Sequence, residues 1–238
     1  MRINIDLEAW CAFSPGWHHH PDKALLDQKL ATDVSFLVPI KRRRLSALSR
    51  LSLRLAYSIA PEFHGNCVFG SQHGELVTTQ GLLQSIVENE IVSPAGFSAS
   101  VHNTAVGLHS INNQNRAACT SIAAGLDSLA MCFVEAYAIL QQEPVEQVLI
   151  VFADDRLPDA LTEFASISQL HGFAALVGLG GQGKRSGLLQ MGLEQVEKTP
   201  ETIDKDSISA LIGCCLEGRL MCHTTGENND WNWQFSVK

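Results

Sequence analysis

No apolar run in the 238 residues approaches the ~18–20 that a membrane-spanning helix needs, so no membrane span is expected. The opening Met1 to Trp10 carries acids and no long apolar stretch, unlike a secretory signal, which points to a cytoplasmic protein. Basic residues are in deficit: 17 Lys and Arg against 25 Asp and Glu leave a net charge of -8. That balance argues against general nucleic-acid binding. The seven cysteines (Cys11, Cys67, Cys119, Cys132, Cys214, Cys215 and Cys222) contain no CxxC pair, which removes the usual zinc-ribbon and thioredoxin signals. Without secretion they are expected to be mostly reduced. There is no internal repeat and no long linker. What the chain does have is 45% apolar and only 18% charged residues, enough for a sizeable core.

The patterning alternates. Asp22 to Leu30 reads as a helix-like run and Ser35 to Ile40 as a short strand. Lys41 to Ile59 reads as an amphipathic helix, with Leu45, Leu48, Leu51, Leu55 and Ile59 at three- and four-residue steps, ended by Pro61. Cys67 to Gly70 follows as a buried strand, then helices over Glu75–Glu90 and Ser98–Ile111, the latter with Val101, Ala105, Leu108 and Ile111 on one face. Ala117 to Ala124 is a small, apolar strand, Leu126 to Leu140 a strong helix, and Val145 to Ala153 the clearest strand. Phe173 to Leu179, Leu188 to Val196 and Ala210 to Leu216 add strand candidates. The tail from Thr224 is polar but carries Trp231, Trp233 and Phe235, so it is expected to pack back. Alternating strands and helices predict an α/β fold, a layered mixed sheet with helices on both faces.

Several motifs invite chemistry. The segment Gly178 to Arg185 fits GxGxxG and nearly a phosphate loop, but Arg185 stands where Ser or Thr would hold magnesium, and no apolar helix follows. A glycine-rich hairpin between two strands is the better reading. His18-His19-His20 has no supporting carboxylate or cysteine motif, so no metal site is expected. Asp154-Asp155 follows a strand, where an N-cap or exposed turn is commoner than a paired acid site. Lys41, Arg42, Arg43, Arg44, Arg50 and Arg54 place six of the 17 basic residues within fourteen positions. This is a solvated helix face or a patch for an acidic partner. Cys119, before Thr120-Ser121 and an apolar helix, is either a thiolate nucleophile at a helix N-terminus or a small buried residue.

The stretch Phe97 to Glu135, together with AWCAFSPGW, RRRLSALSRLSLRLAY, GSQHGE, and LIVFADD followed by FAALVGL, resembles the N-terminal half of β-ketoacyl synthases in the thiolase superfamily. Within it, the sequence looks like the short ketosynthase-like branch of bacterial aryl polyene clusters, proposed as chain-length-factor partners. The resemblance covers most of residues 1–195, and the order and spacing of the motifs carry it. It admits two registers around the family's nucleophile. One sets Ala118-Cys119-Thr120-Ser121 on the nucleophile motif but deletes about seven residues of the preceding strand. The other needs no gap, makes Cys119 part of a strand, and puts Leu126 in the nucleophile's place. The gap-free register is preferred.

In that family two similar halves make the enzyme, with the nucleophile in the first and two catalytic His in the second. The chain is therefore expected to be a single domain, 1–238, lacking the C-terminal half. His223, in Cys-His-Thr-Thr, only superficially resembles a His-Gly-Thr motif. Without the His pair nothing would stabilise the enolate oxygen. The resemblance thus implies a catalytically silent subunit, without cofactor, paired with a full-length β-ketoacyl-ACP synthase. Acyl carrier protein would be a further partner, with Arg42, Arg43 and Arg44 facing it or the synthase. The strand Ala117, Ala118, Cys119, Thr120, Ser121, Ile122, Ala123 and Ala124, without charge or Pro, would pair antiparallel with the synthase. Val77, Gly81 and Phe97 would face its acyl tunnel. The rival reading is an enzyme with Cys119 as acyl acceptor and His102, His109 or His171 as base.

Overall fold

The computed structural model describes residues 1–17, 22–142, 144–163, 169–180, 189–198, 207–217 and 221–237. The elements in order are β1 (Arg2–Phe13), α1 (Gln28–Ala31), α2 (Pro39–Arg42), α3 (Ala47–Ile59), β2 (Asn66–Gly70), α4 (Leu76–Val87), α5 (Pro94–Ser98) and α6 (Thr104–Asn113). Then come β3 (Cys119–Ile122), α7 (Ser128–Gln142), β4 (Val148–Asp154), β5 (His171–Leu179), β6 (Leu189–Glu197), α8 (Ser207–Glu217), β7 (Met221–Thr225) and β8 (Asn229–Val237).

The strands form one eight-stranded mixed sheet in the order β3-β2-β4-β5-β1-β6-β8-β7. β2 runs parallel to both β3 and β4, and the remaining pairs are antiparallel. The sheet's middle strands explain the core. β4 is buried along its whole length, as a strand covered on both faces must be. One face packs Leu129, Phe133 and Ala136 of α7 and Ile208, Leu211 and Ile212 of α8 against Val68, Ile150, Phe173, Trp231 and Trp233. The other packs Leu48, Leu51 and Leu55 of α3 and Val106 of α6 against Cys67, Phe69, Leu149 and Val151.

β1 serves both faces because its parity changes midway. Ile3, Ile5 and Leu7 join the α7–α8 side, while Cys11 and Phe13 join the α3 side. The register with β5 slips between Leu7 and Ala9, and that bulge turns the strand over.

The sequence reading needs correction at several elements. Asp22–Leu30 is mostly irregular, with helix only over Gln28–Ala31, where Asp27 caps the Leu30 N–H at 2.7 Å. Ser35–Ile40 is not a strand: Pro39 starts the short α2 instead. The helix expected over 41–59 is broken, and α3 begins afresh where the Ser46 hydroxyl caps the Ser49 N–H at 2.9 Å. The helix expected over Ser98–Ile111 starts only at Thr104, as α6, after the separate α5 ends at Ser98. Of its shared face Ala105 and Leu108 pack on the core while Val101 and Ile111 are exposed, and Val106 and His109 are buried. The strand expected at Ala210–Leu216 lies within α8. β5 and β6 do not form a hairpin, since each pairs with β1 from opposite sides. The His18–His20 run and residues 181–185 of the glycine-rich segment lie outside the described residues. Among the described residues no helix is long and apolar enough to cross a membrane.

Candidate functional site

The strand Ala117–Ala124 contracts to β3, Cys119–Ile122, at the edge of the sheet. Its inner side pairs with β2, Cys67 opposite Cys119 through Gly70 opposite Ile122, and all four of its residues stay half-exposed. The other side of the ladder is open. Ala124 leads into a tight 3-10 turn, Gly125–Asp127, and then α7. Leu126 sits in this strand-to-helix turn, while Cys119 sits at the far end of the strand.

The turn is held by a contact that local patterning gave no sign of. The Leu126 N–H donates to the Glu227 carboxylate at 3.1 Å. Asp127 reciprocates, accepting from the Glu227 N–H at 3.2 Å and from the Trp231 indole at 2.6 Å. Lys198 Nζ donates to the carbonyls of Gly226 and Glu227 at 2.9 and 3.0 Å. Gly125 adopts φ +55°, in the left-handed region that favours glycine. A backbone N–H before a helix can stabilise developing negative charge. Here the chain's own carboxylate uses it, and the side chain beside it is a leucine.

Cys119 does not meet the expected bases. Its sulfur lies 3.5 Å from Ser110 Oγ and 3.9 Å from Asn115 Nδ2. His102 is bonded to Ser121 Oγ at 2.7 Å and to the Ser71 carbonyl at 2.9 Å. His109 is buried beside Phe69, ring centroids 5.4 Å apart, its pKa lowered to about 4 by burial and then by His64. His171 pairs with Asp154 across β4 and β5. Among the described residues, no histidine hydrogen-bonds Cys119. His223 bonds Asn232 at 2.7 Å and the buried Asp230 at 3.2 Å, holding β7 to β8.

The acids and bases elsewhere act on the fold. Asp154 is buried, accepting from Ser71 Oγ at 2.6 Å and from the Gln72 and His73 N–H groups at 2.9 and 3.3 Å. Burial raises its pKa against those bonds. Asp155 is half-buried, with its pKa raised by burial, and stands beside Arg156. The GSQHGE segment is thus an anchored turn, ending on buried Glu75, which accepts from Ser46, Ser49 and Thr78 hydroxyls at 2.7, 2.6 and 3.0 Å. Arg43 and Arg44 are exposed and Arg42 half-buried. Arg43 and Arg44 line a cavity of about 480 Å³ with Ser46, Glu75 and Ser93. No group of three metal-ligating side chains occurs among the described residues.

A second region, over α4 and α5, exposes apolar side chains. α4 has no buried residue, and Val77, Leu83, Ile86 and Val87 face solvent. Ile91 is 97% exposed and Phe97 66%, while Gly81 has open space around it. Val77, Gly81 and Phe97 are therefore all on the outside. Leu83, Ile86, Val87 and Ile91 extend this surface beyond the residues the sequence points to; the signal is a helix without charge whose apolar residues gather on no single face.

The sequence matches the family described as "Beta-ketoacyl synthase, N-terminal domain" over residues 15–234. The chain belongs to that family. A chain of the ketosynthase ApeO–chain length factor ApeC complex from Xenorhabdus doucetiae aligns with TM-score 0.77 at 23% identity, covering 98% of this chain and 99% of that one. The ishigamide ketosynthase/chain length factor gives TM-score 0.64 at 17% identity, with 91% and 72% covered. The ketosynthase from module 6 of the bacillaene synthase of Bacillus subtilis 168 gives 0.58 at 12%, with 88% and 44% covered. These likenesses establish the thiolase-like ketosynthase fold. A search of curated protein sequences gave no significant match.

Proposed function

We propose that this chain is a non-catalytic chain-length-factor subunit, a half-length ketosynthase fold that pairs with a full-length β-ketoacyl-ACP synthase. One observation carries the reading: α4 and α5 leave Val77, Leu83, Ile86, Val87 and Phe97 exposed, uncovered by the chain itself. A stable monomer rarely exposes so continuous an apolar surface. An obligate interface burying ~2,000 Å² or more would cover it. β3 would extend the sheet into the partner, and Val77, Gly81 and Phe97 would meet its acyl tunnel, where bulk limits chain length. The likeness to a chain crystallised in a ketosynthase–chain length factor complex supports the same assembly.

Condensation then belongs to the partner. Leu126 offers no nucleophile, and Glu227 occupies the adjoining N–H. The substrates would be malonyl and growing polyenoyl chains on acyl carrier protein, in an aryl polyene pathway. Arg42, Arg43 and Arg44 would meet the carrier or the synthase.

The test is the native mass of the chain alone and co-expressed with the ketosynthase encoded nearest to it. A one-to-one complex is expected. A well-behaved monomer or homodimer that ignores the synthase overturns the reading. Cys119→Ala in the reconstituted pair should leave product formation unchanged; lost carrier-protein acylation would restore Cys119 as a nucleophile.

A further inference from the structure

Cys67 and Cys119 face each other across the parallel β2–β3 ladder. Neighbouring strands lie ~4.8 Å apart, within the Cα separation of ~4.4–6.8 Å that a disulfide tolerates. Both side chains belong to the α3 face of the sheet, Cys67 inside the core and Cys119 packed at its margin. The Cys67 thiol donates to the Gly65 carbonyl at 3.4 Å and the Cys119 thiol to the Ala117 carbonyl at 3.5 Å, and the neighbouring Cys67 holds the Cys119 pKa down to about 6. Asn115 Nδ2 reaches both sulfurs, Cys67 at 3.5 Å and Cys119 at 3.9 Å, and Ser110 Oγ lies 3.5 Å from Cys119.

Cys67 is buried and Cys119 half-exposed. Ser110 and Asn115, which contact Cys119, line a cavity of about 490 Å³ with Gln114 and Arg116, and the Arg116 side chain is exposed. The other cysteines have no such setting: Cys11, Cys132 and Cys214 are buried, and burial pushes the Cys11 thiol up to about 12. Cys215 is pushed up by burial, and Cys222 sits in β7 across the sheet.

We propose that Cys119 and Cys67 form a peroxide-reactive dithiol, with Cys119 the attacking sulfur and Cys67 the resolving one. The Cys119 thiolate attacks one oxygen of hydrogen peroxide. An S–O bond forms, the O–O bond breaks and hydroxide leaves, giving a sulfenic acid. The hydroxide takes from solvent the proton released when the thiolate formed and becomes water. Cys67 then attacks that sulfur. The S–S bond forms, the S–O bond breaks, and the departing hydroxide takes the Cys67 proton as a second water. The two sulfurs supply the two electrons that reduce the peroxide. Neither the cavity nor the thiol pair depends on the heterodimer reading. In a heterodimer, however, the disulfide would stiffen the strand at the seam.

The reduced full-length chain, freed of reductant, is treated with one equivalent of hydrogen peroxide, alkylated under denaturing conditions and mapped by peptide mass. A Cys67–Cys119 cross-link is expected, formed on the order of tenfold faster than loss of any other thiol. With dimedone present, Cys67→Ser should accumulate the adduct on Cys119, and Cys119→Ser should give neither cross-link nor adduct. The wild-type map alone is decisive if a variant fails to fold. Cys119 alkylated as before treatment, or another cysteine oxidised first, overturns the proposal. A stable thioester on Cys119 after incubation with an acyl-CoA, without the cross-link on oxidation, also overturns it and restores the acyl-acceptor role.

Discussion

α3 and α4 are of similar length and both rich in leucine, yet the fold treats them oppositely. α3 buries Leu48, Leu51, Leu53 and Leu55 between the sheet and its neighbours. α4 buries nothing, and its Leu83, Ile86 and Val87 lie in water. The difference is in patterning. Leu48, Leu51 and Leu55 of α3 share one stripe on the sheet, with Arg50 and Arg54 outside it, whereas in α4 Thr78, Thr79, Gln80, Gln84 and Ser85 are scattered among the apolar residues and none is charged. A helix patterned for one neighbour finds it in its own chain. α4, without such a stripe, is left exposed by this chain. Hydrophobicity alone therefore does not identify a core; whether the chain can cover it does.

The sharpest test sets the two helices side by side. Leu51→Ala should destabilise the chain by about 2–5 kcal/mol, read by chemical denaturation, because it opens a cavity in a packed site. Leu83→Asp with Ile86→Asp should change lone-chain stability by less than about 0.5 kcal/mol per site, while weakening capture of the synthase by about 2 kcal/mol or more. Equal loss of stability from both helices would break the comparison.

α6 contains both behaviours, burying His109 while Ile111 faces out. His109 has a folded pKa of about 4, below the ordinary 6.5, so the unfolded chain binds the extra proton between those values. Its contribution is complete above about pH 6.5 and is lost as pH falls towards 4, by about 2–3 kcal/mol. Asp154, with a raised pKa, slopes the other way, so the difference between the wild type and His109→Gln isolates the histidine. Ile111→Ser, on the outer face, should leave that profile unchanged.

The smallest effect is expected at the basic segment. Reversing Arg42, Arg43 and Arg44 to Glu should leave stability within about 0.5 kcal/mol and weaken carrier-protein binding at low salt, the difference shrinking as salt screens it. Unchanged affinity and unchanged salt dependence would remove the carrier protein from that surface.

What the sequence revealed divides along the same physical line. Contacts within a few residues were legible: the α3 stripe, the β4 run of Val148 to Phe152, and the alternation of Trp231, Trp233 and Phe235 in β8. Ile3, Ile5 and Leu7 alternate as plainly, but β1 was missed because its bulge breaks the period in mid-strand. The α6 face was misjudged because apolar spacing reports a stripe, not the side on which a neighbour lies. For the candidate site, the strand-to-helix turn at Leu126 followed from the family resemblance. Glu227 did not, since nothing in a local pattern joins residues a hundred positions apart. The pairing of Cys67 with Cys119 was hidden for the same reason, because it exists only once β2 and β3 are in register.

The brace between Asp127 and Trp231 also has an optical consequence. All four tryptophans lie at positions 10, 17, 231 and 233. Trp231 donates to a carboxylate at the turn before α7, and Trp233 meets Phe133 of α7 edge-on at 5.3 Å. None lies on the bare helices or on β3. Indole emission from this chain therefore reports β8 against α7 through Trp231 and Trp233, and β1 and the turn after it through Trp10 and Trp17.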